Sequence, residues 1–427
     1  MSRNNFKQTE IGLIPEDWEV VRLGDYLELI KNGVTKKQNK KGIGLPVTRI
    51  ETISEGVIDV TKVGYINSLT PKEIEKYSLK IGDILFSHIN SEPHLGKSAI
   101  YTGNPPTLIH GMNLLLIRAK KEQLDPFFLN NLFNWYRLRG IFIGIASRAV
   151  NQSSINQGKM KNLLIPLLPL PEQRKIARVL DKIQQAIELQ DRIIEQAKNL
   201  KKSLMQKLFT EGLYGEEQKE TEIGLIPKSR KVVRLGDIVT KTRQRDPKRM
   251  PYLKFKYVDV SSISNELYKI IEFREFLGKN APSRARKEIK TGDIIFATVR
   301  PYLKRIAIVP QELDGELCST AFCVLRCNMN FADHVFVFNY LLTDNFVERV
   351  SASQRGSSYP AVTDKDVLNQ KIPLPPLSEQ KQIAHILSVL DKKIEVEQKR
   401  KQVLKELFKT MLHKLMSGKI RLKEVEI

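Results

Sequence analysis

Several short groups in this chain have residue types that catalysis uses, and each fails on its neighbours. Asn104-Pro105-Pro106-Thr107 has three positions of the Asn/Asp-Pro-Pro-aromatic loop that an amino-methyltransferase uses to hold a flipped base, but it lacks the stacking aromatic. It reads as a turn. Gly42-Ile43-Gly44 is too short for a cofactor loop, and no strand, glycine loop and helix surround it. Glu288-Ile289-Lys290 has the Glu-x-Lys half of a nuclease metal site, a triplet that arises by chance in a chain this rich in Glu and Lys. No Gly-x-x-x-x-Gly-Lys motor loop occurs. His88, His94 and His110 lack the partner spacing of a metal site or a general base and read as surface or core histidines. Cys318, Cys323 and Cys327 are an odd, clustered set, suited neither to a disulfide framework nor to zinc. They read as small reduced residues in or beside a strand. No catalytic residue, metal or cofactor is assigned to the chain.

Recognition of a polyanion is better supported. Phosphates are met by Lys and Arg, and base edges by Arg, Asn, Gln and Lys that present paired donors. Lys31, Lys36, Lys37, Gln38, Asn39, Lys40 and Lys41 lie in one acid-free stretch. Lys241, Arg243, Gln244, Arg245, Lys248 and Arg249 form a second basic stretch. Two further loops carry His88 and Asn90, and Arg300, Tyr302, Lys304 and Arg305. A third pair carries Arg148, Asn151 and Gln152, and Gln354 and Arg355. Arg148, Asn151, Gln152, Arg300, Tyr302, Gln354 and Arg355 are the strongest candidates. For any single member, a solvated surface charge is the alternative. The whole chain agrees with a polyanion partner, since 70 Lys and Arg against 48 Asp and Glu give a formal charge of +22.

These loops sit in an internal duplication. Thr9-Glu10-Ile11-Gly12-Leu13-Ile14-Pro15 recurs as Thr221-Glu222-Ile223-Gly224-Leu225-Ile226-Pro227, and Val20-Val21-Arg22-Leu23-Gly24-Asp25 as Val232-Val233-Arg234-Leu235-Gly236-Asp237. Gly82-Asp83-Ile84 answers to Gly292-Asp293-Ile294, and Ile165-Pro166-Leu167 with Glu172-Gln173 to Ile372-Pro373-Leu374 with Glu379-Gln380. The matches keep one order with a slowly drifting offset, which means two copies of one unit. Residues 31–74 and 241–285 share almost nothing, nor do 88–110 and 298–320. One scaffold with two variable surfaces is what two recognition tasks need. Neutral loop drift explains the divergence but not the basic residues collected there. The twin of Glu288-Ile289-Lys290 is Ser78-Leu79-Lys80, which removes the acid.

The elements that must position the loops are short strands such as Gly82 to Ser87 and Phe322 to Arg326. Helices are expected over Pro126 to Leu138 and Asp333 to Ser351, starting at Asp125 and Asp333. Each copy leaves through a stiff proline-rich segment, residues 165–171 and 372–376. Beyond it no Pro or Gly occurs until Gly212 and Gly418. Ile176, Val179, Ile183, Ala186, Gln190, Ile193, Ala197, Leu200 and Leu204 recur by three and four, as do Ile383, Leu387, Leu390, Ile394, Leu404, Phe408, Met411 and Leu415 with a polar gap at Glu397 and Lys401. These are coiled-coil seams of ~50 Å at 1.5 Å per residue, and their central polar residues suit an antiparallel pair. The fold expected is α+β: two similar α/β globular domains, 1–165 and 215–371, separated by two long antiparallel coiled-coil helices, 166–214 and 372–427, in a pseudo-two-fold duplication. Such a strut would hold two reading heads about a turn of B-DNA apart, ~34–36 Å. No signal peptide or bilayer-spanning run is present, so a cytoplasmic protein is expected.

A variable domain, a Pro-Leu-Pro-Pro-Leu-x-Glu-Gln lead-in and a long helix, repeated once, resemble the specificity subunit of Type I restriction-modification systems. The specific parts are the Leu-Gly-Asp and Gly-Asp-Ile frames and Ile372-Pro373-Leu374-Pro375-Pro376-Leu377-Ser378-Glu379-Gln380-Lys381-Gln382-Ile383-Ala384. The first copy departs mildly at Leu168 and Pro171. The resemblance implies that each variable domain reads half of a split sequence in double-stranded DNA. It implies that the helices space the halves and dock two methyltransferase subunits, which bind S-adenosylmethionine and methylate adenine at N6. Restriction subunits with motor and nuclease activity would complete the complex. The rival readings are a self-sufficient DNA methyltransferase or nuclease, and an RNA-binding scaffold. The last would favour stacked bases, yet aromatics are only 7% of this chain.

Overall fold

The computed structural model describes residues 5–53, 56–148, 152–356 and 360–423. The chain divides into two units, Met1–Gln190 with Arg400–Ile427, and Asp191–Lys399. Both divisions fall within the two long helices, Leu170–Thr210 and Leu377–Met416.

The two units repeat one framework. Each opens on a hairpin, Phe6–Thr9 with Gly12–Pro15 and Gln218–Thr221 with Gly224–Pro227. The two ends of each repeat then pair: Glu19–Arg22 lies antiparallel to Leu164–Leu167, and Lys231–Arg234 to Lys371–Leu374. A four-stranded antiparallel sheet follows. Its spatial order is Leu27–Asn32, Leu115–Ala119, Ile84–Phe86, Ser98–Ile100 in the first unit. In the second it is Val239–Thr240, Phe322–Cys327, Ile294–Ala297, Ile306–Ile308. The Gly-Asp-Ile segment thus becomes an inner strand both times. Its side chains are fully buried, as expected for a run apolar on both faces.

Helices cover the sheets. Pro126–Leu138 begins where Asp125 accepts from the Phe127 and Phe128 amides at 3.0 and 2.9 Å. Asp333 does the same for Val335 and Phe336. The second helix stops early, at Leu341, and Thr343 caps a separate helix, Asp344–Ser351. The single helix expected over 333–351 is therefore two, because a Thr-Asp start signal lies inside the apolar stretch. The variable segments fold differently, as their unlike sequences require. In the first unit, Leu45–Val47 pairs with Gly64–Ile66 beside the helix Pro71–Tyr77. In the second, Lys254–Val258 and Leu317–Ser319 run parallel inside a sheet completed by Arg274–Leu277 and Ala285–Glu288. Cys318, Cys323 and Cys327 are buried free thiols on strands, and burial pushes Cys323 up to about 12.

The long helices run antiparallel within each unit. Ile176, Ala177 and Leu180 share a core with Leu412, Leu415 and Met416. Met205, Leu208 and Phe209 share another with Ile383, Ala384 and Leu387. The seam of the second helix follows the expected residues, with Ile383, Leu387 and Leu415 buried and Leu390, Ile394, Leu404, Phe408 and Met411 half-buried. The first helix corrects the expectation in one layer. Leu180, Ile187, Ile194, Lys201 and Leu208 are buried, while Val179, Ala186 and Ile193 beside them are half-buried and Leu200 is exposed. Adjacent apolar pairs make both phases readable, and packing chose the neighbour one residue on. That phase exposes Leu200 (56%) and buries Lys201 (8%). Lys201 is neutralised by Asp391 of the other helix at 2.6 Å. Helix also begins at Leu170, so Pro171 lies in the first turn, where its missing N–H costs nothing, and not in an extended lead-in.

Candidate nucleic-acid interface

A framework that presents variable loops has to be rigid, and its repeated motifs supply the rigidity. Asp83 receives Arg118 at 2.6 and 2.8 Å and the Lys80 amide at 2.8 Å. Asp293 receives Arg326 at 2.9 and 2.7 Å and the Lys290 amide at 2.8 Å. Each is a two-pronged, charge-assisted clamp across neighbouring strands. Gln173 accepts from the Asp125 amide and donates to the Gln123 and Leu168 carbonyls. Gln380 repeats this with Asp333, Phe331 and Pro375. The repeated Gln thus locks the start of each long helix to the start of the helix over the sheet. Glu172 binds Arg421, which lies at 5.3 Å from the Trp18 ring. In the second unit, Arg230 occupies the position that repeats Trp18 and reaches Glu379 itself.

On this frame the second and third candidate loops come together. In the first unit, Asn90 pairs with Ser153 and Arg148 with Ser153, forming the small sheet Ser147–Arg148, Ser153–Ser154, Ile89–Asn90. In the second unit, Val299 and Arg355 both bridge to Ala361. Asn90 and Arg300 are equivalent, each four residues after the Phe of its inner strand, and Arg148 and Arg355 both precede their exit Ile by 17. Arg148 is exposed with Glu92 at 3.3 Å, and Arg355 is exposed with Asp366 at 3.9 Å. Gln152, Arg300 and Tyr302 are exposed as well. Asn90 is half-buried and holds Ser87 Oγ at 3.2 Å. Gln354 is half-buried, with a covered amide nitrogen that lacks a partner among the described residues. Asn151 lies outside the described residues.

The remaining candidates divide. Lys37, Lys40, Lys41, Arg243, Gln244, Lys248 and Arg249 are exposed. Lys36 instead holds the Ser68 carbonyl and Glu73 at 2.7 Å, and it helps hold Glu73 down to about 2. Gln38 accepts from Arg49 at 3.4 Å. Asn39 organises its own turn through the Ile43 and Tyr65 carbonyls and the Lys41 amide. Arg245 holds the Gly315 carbonyl at 2.8 Å. Lys304 holds Leu342 and Asp344, and Arg305 the Val260 and Ile263 carbonyls. His88 is buried, and burial lowers its basicity. Sequence reasoning missed Arg284, exposed on a strand lead whose carbonyl accepts from Thr320 beside this loop cluster. It has no counterpart motif that would have marked it. It also missed the Asp83–Arg118 and Asp293–Arg326 clamps, although both partners recur between the copies.

A duplicated frame that brings unlike cationic and amide-bearing loops to corresponding places defines a two-headed recognition protein. Residues 15–199 and 227–406 match the model of the Type I restriction modification DNA specificity domain, and the chain belongs to that family. It is 41% identical, over 98% of its length and 97% of the relative's, to the putative type I restriction enzyme MjaX specificity subunit of Methanocaldococcus jannaschii. It is 27% identical, over 99% and 97%, to the type I restriction enzyme MjaVIII specificity subunit of the same organism. The crystal structure of the Type-I restriction-modification system S subunit from M. genitalium matches 97% of both chains with a TM-score of 0.57 at 17% identity, a likeness of fold.

Proposed function

We propose that this chain is the sequence-specific DNA-binding subunit of a Type I restriction-modification complex. Each unit reads one half of a bipartite target in double-stranded DNA. The long helices set the interval between the halves and dock two methyltransferase subunits. S-adenosylmethionine belongs to those partners, and restriction subunits with motor and nuclease activity join the same assembly. The observation that carries this reading is the pair of equivalent loop clusters. They share an Arg at 148 and 355 and differ at 90 and 300, on frames held by the same clamps. A common phosphate anchor beside a variable base reader is the division of labour that sequence readout uses.

Sequencing of modified bases in a host carrying the complete system tests the proposal. A split motif with a fixed gap, lost when this chain is deleted, is expected. A continuous motif, or modification independent of the chain, would refute it. Calorimetry of the purified chain with S-adenosylmethionine separates the self-sufficient enzyme, which would bind it. Duplex against single-stranded RNA competition across salt concentrations separates the RNA scaffold.

A further inference from the structure

The loop that carries Arg300 has an unusual backbone. Arg300 (φ 50°, ψ 58°) and Lys304 (φ 50°, ψ 41°) are both left-handed, a region that side chains other than those of Gly, Asn and Asp rarely occupy. They flank one short turn, Pro301–Leu303. Such a conformation persists only where its surroundings over-determine it, and here they do. The Thr298 amide and hydroxyl donate to the Ala321 carbonyl, the Arg300 amide to Pro360 at 2.8 Å, and the Val362 amide back to Thr298 at 2.9 Å. On the far side, Lys304 is tied to the Leu342 carbonyl at 2.9 Å and Arg305 to the Ile263 carbonyl at 2.8 Å. Lys304 and Arg305 therefore brace the loop, and the Arg300 side chain is exposed. Arg355 and Arg284 are exposed nearby, and Tyr302 stands out at 50% exposure.

The other copy shows what varies at this point. Asn90 holds the position of Arg300 in a flatter strand pairing, and its amide is turned partly inward to Ser87 Oγ and the Ser91 amide. Asn and Arg are the two side chains that pair most specifically with single bases: Asn with the N6 and N7 edge of adenine, Arg with O6 and N7 of guanine. Resting on the DNA-reading function above, we infer that Arg300 is a specificity-determining residue of the second unit, its guanidinium donating twice to one guanine of that unit's half-site. The strained turn fixes the stem so that the fork of donors meets the base edge with little freedom left to lose.

The test uses the complete complex and the modified-base motif of its host. Arg300→Lys keeps the charge but loses the fork, and Arg300→Asn tolerates the left-handed backbone and imports the residue of the first copy. Both should lose about tenfold to a hundredfold discrimination at one guanine of one half-site, with the other half-site unchanged. Arg300→Asn should also raise acceptance of adenine there. The intact half-site reports that the variant is folded. Should neither variant fold, replacing that guanine by 7-deazaguanine, which lacks N7, must weaken the wild-type complex at that position alone. An unchanged motif in both variants overturns the inference. So does a uniform loss across sequences with the salt dependence reduced by about one ion, which marks a phosphate contact. Absence of any split motif in the wild type would sink the functional reading itself, a different failure.

Discussion

Replacing Arg421 by Ala removes the cation that pins the segment after the second long helix to the first unit. Arg421 donates to both oxygens of Glu172 at 2.8 Å and to both of Asp17 at 2.7 and 2.8 Å. The Glu172 side chain is only 2% exposed, so the substitution strands a buried carboxylate with the Leu422 amide, at 3.2 Å, as its remaining partner among the described residues. Breaking a buried pair on one side costs about 3–5 kcal/mol. Asp17 is 38% exposed and keeps Lys423, so its share is screened and the lower end applies. The expected loss is ~3 kcal/mol, which for a unit of about 200 residues lowers its melting temperature by ~6–12 °C. Calorimetry of the full chain reads this, and a double-mutant cycle with Glu172→Gln isolates the pair from the packing on Trp18. A shift of about 1 °C or less, or a coupling below ~0.5 kcal/mol, refutes the clamp. Arg230→Ala should act likewise in the second unit, because Arg230 is fully buried against Glu379 and the Phe209 carbonyl.

Four further outcomes follow from particular contacts and elements. His110 is buried and burial lowers its pKa from 6.5 to about 4, so the unfolded chain gains a proton that the folded one refuses. The contribution is whole above pH 6.5 and is lost as the pH falls towards 4, about 3 kcal/mol in all. Thermal melts of His110→Gln should be flatter over that window, and an unchanged slope would exclude the mechanism. Gly33→Ala would place its Cβ 2.2 Å from the Gly111 carbonyl oxygen, so the first unit should lose stability or solubility on expression, with the second unit's melting unaffected. Lys201→Met removes a buried charge whose partner, Asp391, is 43% exposed, so urea unfolding should show stability unchanged or raised by up to ~2 kcal/mol; a loss above 1 kcal/mol would show the ion pair to be net stabilising. One heptad inserted within residues 184–200 should disrupt packing, whereas matched insertions in both helices should lengthen the gap in the modified motif; an unchanged gap would remove the helices from spacing.

Much of this protein was legible because its evidence is local or repeated. Proline and glycine punctuation bounds both long helices, and Asp125 and Asp333 cap where their sequence positions indicate. The copies could be compared residue by residue, so the frame and the variable segments separated without a structure. The candidate contacts were legible only by type. Lys36, Lys304 and Arg305 have the same composition signal as Lys37 and Lys40, yet the first three are spent on carbonyls and carboxylates far away in sequence. Whether a cation is spent inside or offered outside depends on its long-range neighbours, which a charge run does not encode.

By itself the sequence determined the duplication, the antiparallel seams and the family, since spacing, caps and repeated motifs carry them. Only the tertiary structure decided which of two adjacent apolar residues is buried more deeply in the first helix's seam, with Leu180 fully buried and Val179 half-buried, because both phases satisfy a three-four rhythm and packing alone distinguishes them. It also decided that residues 412–422 complete the first unit. There Leu412, Leu415 and Met416 join the core around Ile176, and Arg421 crosses to Asp17 and Glu172. Contacts spanning some 250 to 400 positions leave no periodic trace in a chain, and they form only where burial offsets the entropy of closing so long a loop.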